Sequence, residues 1–391
     1  MALSRLSSRF DVPVNRVGTG SLKYDGRSSR FGSDEVTPLW LADMDFAVPE
    51  AVTAALVERA EHPIYGYSEY PESLYQSLQQ WFERRHNWPI ARDSIVICPG
   101  IMSSVYATIT ALTAPGDKII IQPPVYLPFF SAIHDTGRTL VENPLLFEHN
   151  HYRMDLEHLE RCAQDGASVL LLCSPHNPVS RVWQRTELEA LLAIVKRYNM
   201  TIISDDIHAD LVLEPYTAVA TLDNTNAVIT ALSPGKSFNM PGLSLTALVV
   251  DDPQQRQAIT KVYQQWQSSN MNPFSICSFE AAYNGGEAWL DALLPYLQAT
   301  QRAVGEYLLA HVPNIKLVRS EGAYLLWLDC RELAMSDTAL QRFFIEQAQV
   351  AMSPGDQYGT GGSGFMRLNI GAPRAQILAA VASIGAAVAG L

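Results

Sequence analysis

Amines are scarce in this chain, whose 391 residues hold six lysines: Lys23, Lys118, Lys196, Lys236, Lys261 and Lys316. Five have plain readings. Lys118 follows the turn Pro115-Gly116-Asp117, Lys196 lies on the polar face of a helix, Lys261 sits in a Gln-rich surface helix, Lys316 opens a strand, and Lys23 reads as a solvated charge. Lys236 differs. It follows a buried apolar run, stands between Gly235 and Ser237 and precedes Pro241-Gly242, and such small neighbours let a ligand approach closely. A desolvated or cation-flanked lysine has a lowered pKa and can attack a carbonyl covalently.

Other residues gain meaning beside such a lysine. Asp205 closes a strongly apolar run, where a carboxylate needs a cation or a helix to cap. Facing an aromatic cofactor held by the lysine, it would keep a ring nitrogen protonated and so maintain an electron sink. Asn177, between Pro175 and Pro178, either makes an Asx turn or aims its amide at a ring oxygen. Tyr126 after Pro123-Pro124 either packs or stacks on a ring. Gly100 opens a helix whose free N–H groups suit one phosphate. The dinucleotide fingerprint G-x-G-x-x-G is missing there, and the glycine cluster 359–364 lacks the Lys-Ser or Lys-Thr of a Walker loop and reads as a loop. Arg367 taken alone reads as a surface cation. In a small domain that closes over a cleft, its planar fork would grip a substrate carboxylate. Asp43-Met44-Asp45, His149-Asn150-His151 and His208-Ala209-Asp210 lack a third metal ligand at a persuasive spacing and read as structural. No G-x-S-x-G or Cys-His signature of a nucleophilic hydrolase occurs.

These residues need a scaffold, and the pattern supplies an alternating one. Short β-rich apolar runs recur at 94–98, 118–121, 139–142, 168–173, 201–204, 227–231 and 246–250, most of them separated by helical spacing such as Leu188, Leu191, Leu192 and Val195. Strand-helix-strand alternation predicts an α/β fold with a mostly parallel sheet, and ligands bind beyond the carboxyl ends of such strands. The candidates stand at those ends: Gly100 and Ile101, Tyr126, Asn177, Asp205 and His208, Ser233 and Lys236. Helices are expected at 49–59, at 72–85 and, as one or two pieces, at 287–310. The tail then reads as a smaller α+β domain with strands at 323–328 and 365–369, a helix at 337–349 and a final Ala-rich helix. The expected division is an N-terminal segment 1–48 joining the small domain, a large domain 49–290 and a C-terminal remainder 291–391.

With 48% apolar and 17% charged residues the chain can bury a large core, and a net charge of −12 has the wrong sign for gripping a phosphate backbone. The opening MALSRLSSRF lacks an apolar export core, no apolar run reaches the roughly 18–20 residues of a membrane span, and the five widely spaced cysteines form no C-x-x-C pair. A cytoplasmic protein with reduced thiols is expected.

The strings Ser174-Pro175-His176-Asn177-Pro178, Ser204-Asp205-Asp206-Ile207-His208, Ser233-Pro234-Gly235-Lys236 and Arg367-Leu368-Asn369 together resemble the class I/II aminotransferase superfamily of fold type I, in order and spacing over nearly the whole chain. Longer strings, residues 41–46, Gly66-Tyr67-Ser68, residues 173–183 and Lys236-Ser237-Phe238-Asn239, resemble its cystathionine β-lyase branch. The resemblance implies pyridoxal 5'-phosphate as cofactor, Lys236 as the Schiff-base lysine, Asp205 beside the pyridine nitrogen, Asn177 near the ring hydroxyl and Tyr126 stacked on the ring. It also implies Arg367 on the substrate carboxylate, Gly100, Ile101 and Ser233 around the phosphate, and Tyr67 reaching that phosphate from the other subunit of a homodimer. His208 falls where many aminotransferases carry a tyrosine that contacts the ring hydroxyl. Ser244 stands where many of them carry a phosphate-binding arginine, Ser180 where the lyase branch often has glycine, and Leu127 where a second tyrosine can occur. The implied activity is β-elimination from a sulfur amino acid, cystathionine or cysteine, to thiol, pyruvate and ammonia. The alternatives are an aminotransferase and a catalytically idle, pyridoxal-phosphate-binding regulatory module.

Overall fold

In the computed structural model, which describes residues 8–268 and 272–391, all seven apolar runs enter one sheet. Residues 1–7, part of the expected segment 1–48 and of the opening read for an export signal, lie outside the described residues. The strands are β1 (Ile95–Cys98), β2 (Lys118–Ile121), β3 (Thr139–Glu142), β4 (Ala167–Cys173), β5 (Thr201–Asp205), β6 (Val228–Leu232) and β7 (Thr246–Val250). Their order across the sheet is β1-β7-β6-β5-β4-β2-β3. Only β7 runs antiparallel to its neighbours; the other pairings are parallel. The central strands carry near-continuous Val, Ile and Leu because helices cover both faces, and β4, β6 and β7 are buried almost from end to end.

Register brings the polar ends together. Cys173 of β4 lies opposite Asp205, and Asp205 lies opposite Ala231 of β6. The segments that follow these three adjacent strands, with Asn177, His208 and Lys236, therefore leave the sheet side by side. Thr246 of β7 pairs with Cys98, so the chain after β1 turns into the helix Ile101–Leu112 at the same edge of the crevice.

The C-terminal part builds a second sheet from β8 (Lys316–Leu317), β9 (Leu325–Asp329), β10 (Ser353–Pro354) and β11 (Phe365–Asn369), ordered β8-β9-β11-β10 and antiparallel throughout. Thr37–Pro38 pairs in parallel with Val350–Ala351, so the N-terminal segment packs on the C-terminal part. The span left open as one or two helices is a single helix, Glu287–His311, with Pro295 inside it. A helix not expected from the sequence, Pro273–Gly285, precedes it, and Asn272 caps its start by accepting from the Ser275 N–H. Ser180 has a φ of 55°, the left-handed region that favours glycine, which accounts for the glycine often found there in the branch the sequence resembles. No helix among the described residues is long and apolar enough to cross a membrane.

Candidate active site

A cavity of about 230 Å³ opens at the carboxyl ends of the central strands. Seven of the sequence candidates line it: Ile101, Tyr126, Asn177, Asp205, His208, Lys236 and Arg367. Leu41, Ala42, Asp43, Met102 and Pro241 complete much of the wall.

Lys236 projects from the turn after β6, and its amine donates to the Ala42 carbonyl. Burial of the amine and the nearby Arg367 charge push its pKa down to about 8, against the pull of Asp43 and Asp205. Asp205, at the end of β5, accepts from the Ile207 N–H at 3.2 Å. Burial raises its carboxyl to about 6, opposed by that N–H and by the Lys236 charge. His208 is buried, has no partner on Nδ1 and is held neutral, its pKa lowered to about 3 by burial and by the charges of Lys236 and Arg367. The Tyr126 phenol stays protonated, its pKa pushed up to about 12 mainly by burial.

Arg367, on β11, is buried rather than a surface cation, because Trp327 and Ser353 flank it in the small sheet. Its Nη1 donates to Asn177 Oδ1 at 3.0 Å, and Nη2 donates to the Trp40 carbonyl at 2.8 Å. Its Nε is buried and unpartnered. Nη2 also donates to the Ser353 hydroxyl at 3.3 Å, so the guanidinium that lines the cavity is held in its plane by Asn177, Trp40 and Ser353.

Gly100 and Ser233 stand behind the cavity wall. Gly100 caps the helix Ile101–Leu112, and a Cβ there would lie 2.6 Å from Ser244 Oγ, which itself donates to the Pro99 carbonyl. Ser233 donates to the Leu245 carbonyl at 2.7 Å and accepts from the Gly235 N–H, so it braces the turn that carries Lys236. Tyr67 is 99% exposed and lies outside the cavity of its own chain.

Residues 40–46 form a strap across the cavity, and side chains hold its backbone carbonyls. Arg367 and Ser353 take Trp40, Asn369 takes Leu41, Tyr324 takes Ala42 together with Lys236, and Asn239 takes Met44 and Phe46. Lys23 belongs to this arrangement and is not solvated. Fully buried, it lies 3.1 Å from Asp45 and 3.6 Å from Asp43, and Arg16 pairs with the same two carboxylates. Sequence reasoning marked residues 41–46 only as a string of the resemblance and missed the strap's role, because backbone carbonyls leave no mark on residue identity.

Comparison with known proteins agrees with this geometry. A family model described as aminotransferase class I and II matches residues 35–384. The cystathionine beta-lyase PatB of Bacillus subtilis is 36% identical over 367 residues, 93% of this chain and 95% of the relative. Protein MalY of Escherichia coli is 32% identical, covering 96% and 97%. The crystal structure of cystalysin from Treponema denticola, which contains a pyridoxal 5'-phosphate cofactor, superposes with a TM-score of 0.95 at 32% identity, covering 97% of this chain and 98% of that one. The chain belongs to the class I and II aminotransferase family.

Proposed function

We propose that this protein is a pyridoxal-phosphate-dependent carbon-sulfur β-lyase, acting on cystathionine or cysteine. The observation that carries the reading is one cavity that gathers a desolvated amine, a buried carboxylate and a buried guanidinium: Lys236, Asp205 and Arg367. The residues present fit the cofactor. Lys236 would hold its aldehyde carbon, Asp205 its ring nitrogen, Asn177 and His208 the neighbourhood of its ring hydroxyl, and Tyr126 a ring face. The N–H groups in the first turn of the helix Ile101–Leu112, which no helix carbonyl can take, suit its phosphate, with Gly100 and Ser233 shaping that corner. Bound there, pyridoxal phosphate supplies an electron sink for charge that develops at the substrate Cα.

The rest of the chemistry lies with the chain. Arg367 would fix the substrate carboxylate with its guanidinium and so aim the Cα–H at Lys236. Lys236, as a neutral amine, would be the base that takes the Cα proton; general-base action of this kind contributes about 10²–10⁴-fold. Asp205, as a carboxylate, would keep the proton on the ring nitrogen, and a cationic N–H there would offset the cost of burying the acid. The thiolate then leaves Cβ, and the three-carbon remainder hydrolyses to pyruvate and ammonia. Among the described residues lining the cavity, the basic side chains other than neutral His208 are Lys236 and Arg367, so this chain's wall offers Arg367 to the one carboxylate next to the reacting Cα.

A homodimer completes the reading, with the partner's Tyr67 at the phosphate; Ile64, Tyr65 and Tyr67 form an apolar, exposed loop suited to a partner. Tyr67→Phe should weaken cofactor retention in the dimer, measured by dialysis against free cofactor, and unchanged retention removes Tyr67 from the site. The two domains meet at the cavity, with residues 1–48 joined to the C-terminal part and 49–290 carrying the large sheet. A cytoplasmic location agrees with five free thiols.

The purified protein should show a visible band that borohydride removes, with the label mapped to Lys236, and should release pyruvate from cystathionine with no keto acid added. Pyruvate that forms only with an acceptor makes the protein an aminotransferase. A borohydride-sensitive band with no turnover of any sulfur amino acid makes it an idle binding module.

A further inference from the structure

A second buried acid stands directly behind the lysine. Asp210 lies in the turn after β5 and is 3% exposed. Its Oδ1 accepts from Trp81 Nε1 at 2.9 Å and lies 2.7 Å from His86 Nε2, while its Oδ2 accepts from the Ser237 hydroxyl at 2.8 Å. Ser237 is fully buried and is the next residue after Lys236. Burial opposes ionisation of Asp210, but these three partners outweigh it and keep the carboxyl below its ordinary range. The acid is therefore a satisfied anion whose side chain is linked to the lysine's turn through Ser237.

The turn that carries Lys236 lies between Gly235 and Gly242 and is closed by backbone bonds from the Phe238 N–H to the Pro234 carbonyl and from the Met240 N–H to the Gly235 carbonyl. Three side chains restrain the turn: Ser233 on the Leu245 carbonyl, Asn239 on Met44 and Phe46, and Ser237 on Asp210. The first two fix its ends. Ser237 alone is adjacent to the lysine, and its acceptor is charged, which makes that bond stronger than one to a neutral group.

We propose that Asp210 is a positioning residue for Lys236, acting through Ser237, so that the amine returns to the substrate Cα proton in one fixed geometry. The proposal rests on the role given to Lys236 above. It predicts that the pair controls proton transfer and leaves substrate binding alone, because neither residue lines the cavity.

The test uses the cofactor-loaded enzyme and the variants Ser237→Ala, Ser237→Thr, Asp210→Asn and the Ser237→Ala/Asp210→Asn double. Readouts are kcat and KM for pyruvate release, solvent deuterium exchange at the substrate Cα, and the visible circular dichroism of the bound cofactor. For Ser237→Ala, kcat and exchange should fall together by roughly tenfold, the loss expected for one hydrogen bond to a charged group, with KM within about threefold. The dichroism should change sign or amplitude, Ser237→Thr should restore all three, and the double variant should be no slower than Asp210→Asn. Wild-type exchange and dichroism in Ser237→Ala, failure of Ser237→Thr to restore them, or losses that multiply in the double variant overturn the proposal. Should Asp210→Asn not fold, the two Ser237 variants decide it. If the wild-type enzyme has no borohydride-sensitive band, the cofactor reading fails, an outcome separate from failure of the positioning role.

Discussion

Replacing Arg367 by lysine tests the substrate end of the site most directly. The guanidinium already spends Nη1 on Asn177 at 3.0 Å and Nη2 on the Trp40 carbonyl at 2.8 Å and the Ser353 hydroxyl at 3.3 Å, and these bonds hold its plane. A carboxylate in the cavity would meet this planar fork with two of its N–H groups. Lysine keeps the charge but offers a point donor, so one of two charge-assisted bonds is lost, at a cost of about 1.5–3 kcal/mol. That corresponds to roughly 10- to 150-fold in kcat/KM. Asn177 Oδ1 also loses its donor, whereas Trp40 keeps the Ser353 hydroxyl at 2.7 Å, so the strap stays in place. The assay is pyruvate release from cysteine or an S-substituted cysteine, run in parallel with the corresponding carboxamide. Wild-type enzyme should lose about as much on the amide as Arg367→Lys loses on the acid, and the variant should discriminate far less between the two. If Arg367→Lys stays within threefold of wild type, or the variant still prefers acid to amide by the wild-type ratio, the guanidinium does not bind the carboxylate.

Three further outcomes follow from the geometry. Lys23→Met leaves Asp43 and Asp45 with Arg16 as their remaining cation, and breaking a buried pair of this kind costs about 3–5 kcal/mol, read as a fall in the denaturant midpoint; a loss under 1 kcal/mol refutes the pairing. In the cofactor-free protein the Lys236 amine is charged below about pH 8 and free above it, so stopped-flow cofactor uptake should rise about tenfold per pH unit below 8 and level off above, and a flat profile contradicts this. The cofactor-free folded chain also holds a proton on Asp205 up to about pH 6, where the unfolded chain has released its own near the ordinary value of 3.8. Folded protein thus binds more protons across that window, and stability should fall by about 3 kcal/mol as pH rises through it. Asp205→Asn should flatten that slope relative to wild type.

The amino-acid order by itself determined the seven strands and what stands at their ends. Continuous Val, Ile and Leu runs bounded by Gly, Pro and Asp report burial on both faces, and six lysines made Lys236 easy to single out. The order of strands across the sheet, the reversal of β7 and the register that sets Cys173, Asp205 and Ala231 level were decided by long-range pairing, which local pattern does not encode. Burial of charge belongs to the same class. Lys23 and Arg367 look like surface cations in sequence because their partners, Asp45 at 22 residues and Asn177 at 190 residues away, are brought near only by the fold. A carboxylate such as Asp210 likewise gains its meaning from Trp81, His86 and Ser237, three donors from distant segments, since only a closed tertiary structure can satisfy an ion out of water.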